Sequence, residues 1–100
     1  MKVLFKPKAD EQIQAVGKYI IEEIKMPQTG IKYLERMYKF AINIGTLYNA
    51  YPLCRELNLS LKKLKCAVFE NEWIFAFKKV KNSVIIFEVK YGKNIKHIAK

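Results

Sequence analysis

Lys63, Lys65, Lys78, Lys90, Tyr91, Lys93, Lys96 and His97 are the residues of this chain with chemistry to offer. Ammonium groups hold phosphates and stabilise charge that develops on phosphorus, while a phenol or imidazole carries the hydroxyl and leaving-group protons. Little else competes. The chain has no P-loop, no G-x-G-x-x-G, no H-E-x-x-H and no G-x-S-x-G. Glu70 and Glu72 flank a predicted turn and Glu22-Glu23 lie on a predicted helix surface, so no two carboxylates are set for acid–base work. With a single histidine, a zinc set is not expected, and neither is any other metal or cofactor. Cys54 and Cys66 sit in apolar surroundings without C-x-x-C spacing, which predicts free buried thiols and no structural disulfide.

The charge points the same way as these lysines. Lys and Arg number 19 against 9 Asp and Glu, a formal net of +10. Residues 1–50 hold 8 basic and 5 acidic side chains, and residues 51–100 hold 11 and 4, so the excess lies in the second half. Such a field draws in polyanions and acidic proteins. Apolar types reach 51%, enough for one packed core, so a single domain over 1–100 is expected. No apolar run approaches the roughly 18 residues of a membrane span, and the start lacks the apolar stretch of a signal peptide. The expected location is the cytoplasm, away from membranes.

The elements that must position the lysines follow from periodicity. Lys2 to Lys6 alternates, with Val3 and Phe5 on one face, in a short first strand that Pro7 ends. From Ala9, residues Ile13, Val16, Ile20, Ile21 and Ile24 recur at steps of three and four, an amphipathic helix stopped by Met26-Pro27. After a link through Gln28-Thr29-Gly30, Ile31, Leu34, Met37, Tyr38, Ala41, Ile44 and Tyr48 trace a second, antiparallel helix. Residues 51–60 read as irregular. Beyond them the period drops to two. Leu64, Cys66 and Val68 alternate with Lys63, Lys65 and Ala67; then Trp73, Phe75 and Phe77 alternate with Ile74, Ala76 and Lys78; then Ile85, Phe87 and Val89 alternate with Ile86, Glu88 and Lys90. Turns at Glu70-Asn71-Glu72 and Lys81-Asn82-Ser83 make this a three-stranded antiparallel meander. The fold class expected is α+β, in the order β-α-α-β-β-β, with two antiparallel helices on one face of an antiparallel sheet. The stripe of Trp73, Phe75 and Phe77 belongs under those helices. The open face would carry Lys63, Lys65, Lys78, Lys90 and Glu88 around Ile74, Ala76 and Ile86.

This layout resembles the RelE/ParE family of toxins from type II toxin–antitoxin modules, which includes plasmid stabilisation proteins. Val84-Ile85-Ile86-Phe87-Glu88-Val89-Lys90-Tyr91-Gly92-Lys93 is similar to the family's last strand, and Trp73-Ile74-Phe75-Ala76-Phe77 to the strand before it. Ala9-Asp10-Glu11-Gln12-Ile13 resembles the opening of its first helix, and Pro52-Leu53-Cys54-Arg55-Glu56 its Pro-x-x-Arg-like link.

The resemblance implies a toxin neutralised by a cognate antitoxin, forming a dimer or a heterotetramer with it. The target would be ribosome-bound mRNA, cleaved without a metal, or DNA gyrase, inhibited. Lys65 matches a basic position of the nucleases, so it would hold the scissile phosphate, with His97 or Tyr91 as acid or base. Lys63, Lys78, Lys90, Lys93 and Lys96 would bind the target. The chain departs from the nucleases at Ile74 and Asn94, where they carry arginines, and its tail has no tyrosine, His97 being the only substitute. Gyrase inhibition, an altered nuclease and a RelE/ParE-fold protein that binds partners or nucleic acid without catalysis all stay open.

Overall fold

The computed structural model describes residues 1–92. Strand β1 (Lys2–Phe5) leads through Lys6 into helix α1 (Pro7–Glu22). Pro7 occupies the first turn of α1, where its missing N–H costs nothing, and Lys6 before it is extended. Pro27 opens α2 (Pro27–Leu47) in the same way. Both prolines, read from the sequence as stops, are starts. Gln28, Thr29 and Gly30 are helical as a result.

The two helices, separated by residues 23–26, cross closely because glycines face side chains. A Cβ on Gly17 would come within 2.5 Å of Leu34, and one on Gly30 within 2.6 Å of Ile21 Cγ1. The hairpin packs Ile13, Met37, Ala41 and Ile44, none of them solvent-exposed, against the sheet.

A one-turn 3-10 helix (Tyr48–Ala50) and a short helix α3 (Leu57–Leu61) precede β2 (Lys65–Phe69), β3 (Trp73–Val80) and β4 (Ser83–Tyr91). The sheet order is β1-β4-β3-β2. The last three strands form the expected antiparallel meander. β1 runs parallel to β4, from Lys2 opposite Ser83 to Phe5 opposite Ile86, so the sheet is mixed. The helix hairpin, α3, β2 and β3 all intervene between these strands, and no tight turn forces them to oppose.

The inner face is aromatic. Phe75 and Phe77 are fully buried under the helices, with Ala67, Phe69, Val84, Ile86 and Val89 beside them. Alternation in β4 breaks at one point: Phe77 faces Ile86 whereas Ala76 faces Glu88, which leaves Phe87 as an extra residue. A bulge of this kind shifts the phase of a strand. Ile86, expected at the centre of the open face, is therefore core. Phe87, expected inside, is on the outer face.

That outer face is half covered. Residues 52–64 fold back on it: Cys54 N–H donates to Leu64 O at 2.9 Å, Cys66 N–H donates to Pro52 O at 3.2 Å, and Leu53 bridges Lys65. This brings the Cα atoms of Cys54 and Cys66 to 4.8 Å, and the two are joined by a disulfide. The expectation of free thiols is corrected. A fold-back of irregular chain sets the pairing, and no spacing between the cysteines announces it. Cys54, Leu59, Leu64 and Ala76 form a second small core there, flanked by Cys66 and Phe87.

Candidate anion-binding groove

Three stretches of chain converge on the bulge at Phe87. The β1–α1 junction supplies Lys6 and Lys8, and the turn after α3 supplies Lys62, Lys63 and Leu64. β3 supplies Lys78. Lys6 is held there because its N–H donates to Ile86 O at 2.9 Å. Lys63 takes a positive φ of 59°, and its N–H donates to Ser60 O at 2.9 Å, which ends α3.

Two adjoining hollows of about 540 and 230 Å³ share Lys62, Leu64 and Phe87 as walls. Five lysines thus line one open groove over an aromatic floor. The Lys6 ammonium stands 5.1 Å from the Phe87 ring centroid, a cation–π distance. The one carboxylate present is Glu88, which Lys8 engages at 3.4 Å. Cations so placed can hold successive phosphates, and an apolar ring between them can take a base or a side chain.

The residues singled out from the sequence divide. Lys63 and Lys78 line this groove. Lys65 does not. It shares the inner side of β2 with Ala67 and Phe69, and its ammonium donates to Tyr48 O at 3.1 Å while lying 4.2 Å over the Tyr48 ring. It is therefore not a same-face neighbour of Lys63. Residues 52–64 give the outer face its own apolar partners, so both sides of β2 are partly apolar and alternation alone assigned them the wrong way round.

Lys90 is on the outer side but is ion-paired with Glu56. Tyr91 packs edge-on against Trp73, centroids 5.2 Å apart, and with it lines a separate apolar groove beside α1. Tyr91 pairs with Trp73 and Lys65 pairs with Phe77, four residues further along β3. At about 3.3 Å per residue, this puts them roughly 13 Å apart along the strand alone. The expected catalytic pairing of Lys65 with Tyr91 is not assembled. Lys93, Lys96 and His97 lie outside the described residues.

Lys6, Lys8, Lys62 and Phe87 are the groove residues that sequence reasoning missed. The signal for the first two was Lys6-Pro7-Lys8 at a strand–helix junction. It becomes meaningful only once β1 is known to pair with β4.

Glu70 and Glu72 are structural. Arg36 grips Glu70 through Nε at 2.8 Å and Nη2 at 3.2 Å, and stacks 4.9 Å over Tyr33. The Tyr33 hydroxyl donates to Glu72 Oε2 at 2.7 Å. Partial burial, then the Glu72 carboxylate, push that hydroxyl well above the ordinary tyrosine value.

The architecture is the RelE/ParE-like fold that the resemblance implied: two helices against one four-stranded sheet. A chain from the solved structure of the chromosomal ParDE TA system from P. aeruginosa superimposes on it with a TM-score of 0.75 at 12% identity. The match covers 91% of this chain and 95% of that one. No family model matches the sequence, and no curated protein matches it. No helix among the described residues is long and apolar enough to cross a membrane.

Proposed function

We propose that this chain is the toxin of a type II toxin–antitoxin pair and docks on an anionic cellular target through the lysine groove. The observation that carries the reading is the convergence of Lys6, Lys8, Lys62, Lys63 and Lys78 around Phe87, with a single carboxylate among them. The shared fold with a chain of a toxin–antitoxin system supports it. The target is ribosome-bound mRNA or gyrase with its DNA, both reached in the cytoplasm. The cognate antitoxin neutralises the toxin by covering part of the basic surface.

Docking does not need the catalytic set. The separation of Lys65 from Tyr91 favours a second reading, in which the chain binds its target without cleaving it. Under that reading Lys65 is a structural lysine and the groove blocks rather than cuts.

Inducible expression of the chain alone tests both. Growth arrest is expected, relieved by substituting Lys62, Lys63 and Lys78 with Glu while the circular dichroism spectrum is kept. Cells that tolerate strong expression would remove the toxin reading. Once arrest is seen, mapped mRNA ends identify a nuclease and gyrase-linked DNA breaks identify a gyrase poison. Arrest with neither identifies the blocking mode.

A further inference from the structure

The segment that forms one wall of the groove is weakly self-supporting. Helix α3 has 5 residues, far below the length at which a helix persists alone. Leu53, Leu57 and Leu61 of this segment are 55%, 67% and 72% exposed, so its apolar side chains are poorly used. What ties residues 52–64 to the sheet is a small set of contacts. They are Leu59 and Leu64 in the second core, the Cys66 N–H to Pro52 O hydrogen bond, the Leu53–Lys65 bridge, the Lys90–Glu56 pair and the Cys54–Cys66 bond. Only the last is covalent. It closes a loop of sequence separation 12 that contains Lys62 and Lys63.

The bond also lies beside an opening. Cys54 is 3% exposed, but Cys66 lines a surface hollow of about 210 Å³ with Tyr51, Pro52, Leu53 and Arg55. Arg55, a cationic residue, is part of this lining, and positive charge favours an arriving thiolate.

We infer that Cys54–Cys66 is a thiol–disulfide exchange site for a dithiol reductant, and that its state sets the wall of the lysine groove. A thiolate of the dithiol attacks Cys66 Sγ. A mixed disulfide forms, and Cys54 Sγ leaves with the bonding pair and takes a proton. The second thiol of the reductant, as thiolate, attacks its own sulfur in the mixed disulfide. This releases Cys66 Sγ, which is protonated in turn. The dithiol ends as a cyclic disulfide, having given two electrons to produce two protein thiols. Oxidised, the segment holds Lys62 and Lys63 over Phe87. Reduced, it keeps only its non-covalent ties, and the groove loses its fixed wall.

The consequence for target binding rests on the function proposed above; the clamp itself does not. The full chain is compared oxidised, treated with dithiothreitol without denaturant, and as a C54S/C66S double variant. Amide hydrogen exchange and affinity for a short single-stranded RNA oligonucleotide are the readouts. Reduction in the native state should yield two alkylatable thiols. Exchange in residues 52–64 should rise about tenfold or more, with α1, α2 and β3 unchanged, as for local rather than global opening. The double variant should match the reduced protein, and both should bind the oligonucleotide more weakly than the oxidised form. Thiols released only in denaturant, or equal protection of residues 52–64 in all three forms, would overturn the clamp. Measurable but equal oligonucleotide affinity in all three would overturn the control of the groove by the disulfide. If residues 52–64 loosen but no form binds the oligonucleotide, the clamp stands and nucleic-acid docking by the groove fails.

Discussion

Tyr33 ties α2 to the sheet and Tyr38 ties α2 to α1 through their hydroxyls. Tyr33 donates to Glu72 in the β2–β3 turn, and Tyr38 donates to Asp10 on α1 while accepting from Gln14 Nε2 at 2.9 Å. Partial burial first, and then the facing carboxylate, raise both hydroxyls above the ordinary value of 10.0. A folded-state value above the unfolded one means that the neutral phenol is favoured by folding. The stability this supplies is complete below pH about 10, the unfolded tyrosine value, and is lost as pH rises from there toward the folded value. Thermal midpoints should therefore drop as pH rises above about 10, and a Y33F/Y38F variant should show a shallower drop. An equal slope in the variant would mean that the lysines, not these phenols, govern the alkaline limb. The same residue scale explains why Glu70 and Glu72 are poor candidates for catalysis: Arg36 and Tyr33 already occupy them.

Between elements, α1 and α2 approach closely at Gly17 and Gly30. In Gly30→Ala the new methyl meets Ile21 Cγ1 at 2.6 Å and Gly17 O at 3.1 Å, one of them backbone. Overpacking a filled contact costs about 1–3 kcal/mol, which a lowered urea midpoint would reveal. A stabilised variant would show the hairpin to be looser than drawn. The helices were legible because Ile13, Val16, Met37, Ala41 and Ile44 repeat at helical steps, and β3 because Trp73, Phe75 and Phe77 alternate. The bulge was not legible, since no glycine or proline marks Phe87. Nor was the side of β2, where Cys66 and Ala67 both find apolar partners, on opposite faces. The candidate site inherits both failures. Of the lysines expected together, Lys63 and Lys78 meet in the groove, while Lys65 and Lys90 are engaged with Tyr48 and Glu56. Four of the five groove lysines come from the β1–α1 junction and the turn after α3, and only tertiary pairing brings those to the bulge.

For the molecule as a whole, a formal charge of +10 attracts any polyanion, so association alone says little about the groove. Two triple variants separate global charge from local arrangement. K62Q/K63Q/K78Q neutralises the groove, and K18Q/K25Q/K39Q neutralises three exposed lysines of the helix layer and its connecting turn. Each removes three charges and takes the formal net from +10 to +7, so any effect of net charge is common to both. Binding that runs through the groove releases counterions from each phosphate contacted. With Lys8 engaged by Glu88, four groove lysines have no carboxylate partner among the described residues, and log affinity for single-stranded RNA should fall with log salt at a slope of about −3. The groove variant should flatten that slope to about −1, while the helix variant leaves it near −3. Equal flattening in both would assign the affinity to diffuse charge, and the convergence of lysines on Phe87 would then carry no specific role.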